Sequence, residues 1–123
     1  MVSLVPEYLR IATAVVALAV AAWALIAVVR DRPPSSAQLY GLWIIELFAL
    51  ALVGTAIASM VSGHRAPSMV TFIGYLVAFL IVPVAGWALA RLEPSKWGSV
   101  IVAAVGVVEA ILIVRLDQVW TGI

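Results

Sequence analysis

The sequence predicts an all-α integral membrane protein: a four-transmembrane-helix antiparallel bundle with short loops. Three observations carry this. Of 123 residues, 66% are hydrophobic and only 11% charged, and the mean hydropathy of +1.22 lies far outside the range of a soluble domain. Four apolar runs approach the roughly 20 residues that a helix rising about 1.5 Å per residue needs to cross about 30 Å of hydrocarbon. The polar segments between them, RDRPPSSAQ, SGHRAPS and RLEPSKWG, are short and rich in Pro, Gly, Ser and charge, the composition of turns at a membrane surface.

The first span, about 9–29, contains the uncharged run from Ile11 to Val29, between Arg10 and Arg30. Its apolar stretch exceeds the core of a secretory leader, and Glu7 precedes it, so it reads as a span rather than a cleaved signal. The second, about 39–61, contains Glu46; the third, about 69–90, contains Pro83; the fourth, about 99–119, contains Glu109. The whole chain, 1–123, then forms a single four-helix transmembrane domain, with loops so short that sequential helices must be antiparallel. Pro33-Pro34, Pro67 and Pro94 stand where a helix does not easily continue, and Ser36, Ser68 and Ser95 are the expected N-caps. Tyr8, Tyr40, Trp43, Trp87, Trp97 and Trp120 fall near span ends, where amphipathic rings favour the headgroup level; Trp23, deep in the first span, reads as a packing residue.

Lipid offers no hydrophobic drive for helix association, so small residues four apart mark where backbones approach closely. The first span offers Ala17 and Ala21, preceded by Thr13; the second Gly54 and Ala58; the third Gly74 with Ala78 and Gly86 with Ala90; the fourth Gly106 with Ala110. This pattern predicts close helix packing, either within the bundle or against a partner. Pro83 removes a donor and crowds the carbonyl of Phe79, which predicts a kink or a loosened turn.

Six Arg and one Lys stand against four Glu and two Asp, so no basic arm points to nucleic acid. Lys and Arg divide four to three between the two membrane sides (Arg30, Arg32, Arg91 and Lys96 against Arg10, Arg65 and Arg115), which favours cytoplasmic first and third loops. Arg in place of Lys, abundant Ala and Val, and the lack of Asn suggest a bacterial inner membrane protein from a high-GC genome.

The chemistry-bearing candidates are Glu46 and Glu109. An ionised acid facing lipid costs several kcal/mol, so such residues turn to the bundle interior, pair with a cation or stay neutral. The second and fourth spans run in the same direction, which puts both acids at similar depth. They are expected either to tie helices together, with Arg30, Arg91 or Lys96 within inward reach of Glu46, or to form an ion-coupling site. Arg115 and Asp117 are expected to form a charge cluster at the end of the fourth span. With no cysteine and with His64 as the lone histidine, there is no thiol nucleophile and no His cluster for a metal, nor any Gly-rich phosphate loop. Catalysis, cofactors and metals are therefore not expected. In size and span count the chain is similar to small multidrug exporters and small fluoride channels. It lacks the exporter-type glutamate in the first span and the channels' Asn-bearing motifs. The function that follows is a non-catalytic accessory or stabilising subunit of a larger membrane complex, of respiratory or lipid-transport type; a homodimeric transporter or channel using the two acids is the other expectation.

Overall fold

A computed structural model describes residues 7–63 and 66–121 as four helices. They are α1 (Glu7–Val29), α2 (Ser36–Val61), α3 (Met69–Ala90) and α4 (Lys96–Thr121), each long and apolar enough to cross a membrane. The protein is thus a multi-pass membrane protein. The helices start a few residues outside the apolar runs, because capping rather than hydropathy sets a helix end.

Each turn is closed by local hydrogen bonding. At the end of α1, Asp31 takes a left-handed conformation (φ 57°), which Asp tolerates better than most residues. The Arg32 amide then donates to the Ala27 carbonyl at 2.9 Å and the Asp31 amide to that of Val28 at 3.0 Å, a Schellman closure in which Asp stands where Gly is usual. The cap of α2 is Ser35, not Ser36: its Oγ accepts from the Gln38 amide at 3.2 Å. Ser68 caps α3 by accepting from the Thr71 amide at 3.4 Å. Before α4, Ser95 accepts from the Trp97 amide at 3.3 Å and donates to Glu93 at 2.8 Å. Gly63 (φ 101°) turns the chain out of α2, a conformation open to glycine at no steric cost.

The helices form a closed up-down-up-down ring. The α1–α4 interface is the most extensive and the α2–α4 contact across the diagonal the thinnest. Antiparallel order is visible at both ends of α1–α4, where Arg10 lies 3.1 Å from Asp117 and Ser99 Oγ donates to the Arg32 carbonyl at 2.8 Å. Midway, Gly106 lets the two backbones meet: a Cβ there would collide with the Ala17 carbonyl oxygen and sit 2.7 Å from Ala21 Cβ. Gly86 plays the same part for α3–α4, since a Cβ would collide with Val105. Thr13, Ala17, Ala21, Ala24 and Ala27 make one buried stripe down α1.

Pro83 is buried, and α3 remains helical from Met69 to Ala90 through it. The outer surface is a girdle of exposed Leu, Ile and Val of the kind hydrocarbon covers. One expected anchor, Trp120, and one expected packing residue, Trp23, differ from the sequence reading. Trp120 is buried with its ring centroid 5.1 Å from that of Phe72, so it packs α4 onto α3. Trp43 and Trp87 meet edge-to-face at 5.2 Å, joining α2 to α3. Trp23 is 44% exposed and borders a surface cavity instead of packing in the core.

Candidate functional site

Glu46 and Glu109 both turn inward. Glu46 retains 7% of its surface and Glu109 none. The reason lies in the faces they share. Glu109 is one turn from Gly106 and lies in line with Val102, Val105 and Ile113, all buried. Glu46 lies in line with buried Leu42, Ala49 and Val53, with Trp43 and Leu50 on the flank towards lipid. Burying this face of α4 against α1 and α3 carries the carboxyl with it.

The two acids divide the core in two. Above them, Ala17, Val20, Leu42, Ile45, Val102 and Val105 form one apolar cluster. Below, Ala49, Leu52, Phe72, Phe79, Ile113 and Leu116 form another. On α2 the break falls at Glu46 and on α4 at Glu109. The register of α3 on α4, with Gly86 at Val105 and Phe72 at Trp120, places Pro83 level with Glu109. A single polar layer therefore crosses the bundle: two carboxyls and a proline that deprives the Phe79 carbonyl of its helical donor.

Among the described residues, no cation compensates this layer, and Glu46 Oε1 and both carboxyl oxygens of Glu109 have no hydrogen-bond partner. The basic residues expected to reach Glu46 are engaged elsewhere or point outward. Arg91 stacks on Trp87 at 4.6 Å. Lys96 lies 3.9 Å from Asp31 and 5.5 Å from the Trp97 ring centre, and Arg30 is exposed at the α1–α2 turn. Among the described residues no third Asp, Glu, His or Cys joins the pair to make a metal-binding group, and neither acid lines any of four surface cavities of the bundle.

The remaining candidates divide by location. Ala17, Ala21, Gly86 and Gly106 are buried at helix crossings, and Ala110 is half-buried one turn past Gly106. Gly54, Ala58 and Gly74 are on the outer surface, and a Cβ at Gly54 or Gly74 would meet nothing within 4 Å. Gly54 and Ala58 of α2 thus take no part in packing within the chain, whereas Ala49 and Ala56 are buried in it. Near the end of α4, where a charge cluster is expected, Asp117 pairs with Arg10 of α1, and Arg115 donates to Gln118 at 2.7 Å and lies over Tyr75. His64 and Arg65 lie outside the described residues.

One residue escaped sequence reading. Gln38 is 3% exposed, with its Oε1 buried and unpartnered. The available signal was a glutamine in the first turn of an otherwise apolar span, directly after RDRPPSSA.

No family model matches the chain, and neither a curated protein nor a solved structure matches it.

Proposed function

We propose that the chain is a non-catalytic accessory or stabilising subunit of a larger complex, of respiratory or lipid-transport type, in a bacterial inner membrane. The observation that carries this reading is the outward position of Gly54, Ala58 and Gly74. In a bilayer, small residues spaced one turn apart let another helix approach to backbone contact. Gly54 is near the middle of the lipid-facing arc of α2, and Gly74 lies at comparable depth on the adjacent α3. The burial of both acids accords with a packing role. Affinity purification in mild detergent tests the reading: larger membrane proteins should accompany the wild-type chain and be lost on Gly54→Leu, which fills the outer face without touching the core. Recovery of the wild-type chain alone, as a monomer or small homodimer, would end it.

A second reading rests on the polar layer. Two buried acids without a cation favour a proton or monovalent-cation site, and a homodimeric transporter or channel would use it for coupling. Flux in reconstituted vesicles should then fall on Glu46→Gln and on Glu109→Gln. Flux indifferent to both substitutions would eliminate this reading.

A further inference from the structure

At the membrane end where α1 turns into α2, a cavity of about 160 Å³ opens to the surface, lined by Trp23, Ile26, Arg30, Arg32, Ser35 and Gln38 among others. We propose that it binds the headgroup of an anionic phospholipid, with the phosphate held by Arg30 and Arg32 and a headgroup hydroxyl donated to Gln38.

Four features support this. The first is charge: two guanidinium groups, which suit the planar, bidentate recognition of a phosphate, border a single cavity. Asp31, the acid between them in sequence, is directed towards Lys96, 3.9 Å away. The second is the start of α2. Ser35 Oγ satisfies only the Gln38 amide, and the first-turn amides of a 26-residue helix add partial positive charge at the same place.

The third is Gln38 itself. A buried amide oxygen without a partner costs free energy, and Gln38 lines this cavity with its Oε1 unpartnered. Guanidinium groups and helix amides accept an anion, but Gln38 Oε1 needs a donor. A phosphate ester that also carries a hydroxyl supplies both, as phosphatidylglycerol does. The fourth is the wall facing the hydrocarbon. Trp23 and Ile26 are 44% and 51% exposed, offering acyl chains an apolar surface directly beneath the charged rim. A free phosphate would leave that wall unused, and the cavity is smaller than the roughly 300–1,000 Å³ typical of drug-sized ligands.

The cavity is held open by the fold. The Schellman closure fixes Arg30 and Arg32 relative to α1. Ser99 of α4 holds the Arg32 carbonyl at 2.8 Å, and Pro34 lies so close to Gly98 that a Cβ on Gly98 would sit 2.6 Å from Pro34 Cδ. The α1–α2 turn is therefore braced by the start of α4, which makes the site preorganised.

The test uses the full-length protein, delipidated in detergent and titrated with defined lipids, with retention read by native mass spectrometry. Phosphatidylglycerol should be retained in preference to phosphatidylcholine and phosphatidylethanolamine. The double variant Arg30→Gln/Arg32→Gln should lower its retention by about tenfold or more, since each basic residue near a charged membrane surface contributes about a factor of five. Arg91→Gln/Lys96→Gln removes the same charge from the same membrane end outside this cavity and should have a much smaller effect. Gln38→Leu should narrow the preference for phosphatidylglycerol over phosphatidic acid, which has no headgroup hydroxyl beyond the phosphate. Both arginines are exposed, so their replacement leaves the bundle core intact. The proposal is overturned if the two double variants behave alike, if phosphatidylcholine or phosphatidylethanolamine is retained as well as phosphatidylglycerol, or if excess inorganic phosphate displaces the lipid as effectively as phosphatidylglycerol itself.

Discussion

Glu109 has the most costly environment in the bundle. Its side chain is fully buried, neither carboxyl oxygen has a partner among the described residues, and Glu46, in the same layer, adds repulsion whenever both are charged. Replacing a buried, unpartnered polar group by an apolar one of similar volume removes a desolvation penalty. Glu109→Met should therefore raise the unfolding free energy, by about 1–3 kcal/mol, measured by titrating detergent-solubilised protein with dodecyl sulfate and following helicity. Ile45→Ala in the neighbouring apolar cluster should lower it by about 2–5 kcal/mol and fixes the scale of the assay. A drop in stability for Glu109→Met would mean that the carboxyl has a partner holding the helices together. The sequence exposed the two acids and their shared depth. It could not show that the expected cations fail to reach them, because that depends on side-chain directions: Arg91 stacks on Trp87 one turn back on its own helix, and Lys96 turns to Asp31 of another element.

At the scale of elements, the four spans were legible because each apolar run is bounded by Pro, Ser and charge, and the structure changes only their ends. The small-residue pattern was less informative, since spacing alone does not say which face of a helix turns inward. Gly106 and Gly74 carry the same pattern, a glycine with an alanine one turn on, yet one meets Ala17 and Ala21 while the other has open space around it. Burial of the α1 stripe from Thr13 to Ala27 explains the first; α3 packs through Phe72, Phe79 and Gly86, which leaves Gly74 outside. Substitution separates the two cases. Gly106→Ala forces α1 and α4 apart along their largest interface and should lower the unfolding free energy by about 1–3 kcal/mol. Gly74→Ala meets no obstacle and should leave stability unchanged or raise it by up to about 1 kcal/mol through helix propensity. Equal effects at the two positions would contradict the α1–α4 packing described here.

For the whole molecule, the decisive property is which end faces the cytoplasm, and the fold connects it to the charge distribution. The Arg32–Ser99 and Asp31–Lys96 contacts gather Arg30, Arg32, Arg91 and Lys96 at one end, while the Arg10–Asp117 pair marks the other. A majority of one basic residue is a small bias, and it acts through the anionic leaflet of a cytoplasmic membrane, which attracts juxtamembrane cations by about 1 kcal/mol each. This bias favours the α1–α2 and α3–α4 turns in the cytoplasm. The chain has no cysteine, so single cysteines can be introduced into an unreactive background at exposed Ser36 and Leu92 on this end and at exposed Ser62 on the other. A membrane-impermeant maleimide applied to intact cells should label Ser62→Cys and spare Ser36→Cys and Leu92→Cys, with the pattern reversed in inverted vesicles. Labelling of Ser36→Cys and Leu92→Cys on different sides would refute the four-span topology itself. Labelling of every position from both sides would instead mean two insertion orientations, the arrangement that antiparallel homodimers require, and would move the balance from an accessory subunit towards a self-paired transporter built around Glu46 and Glu109.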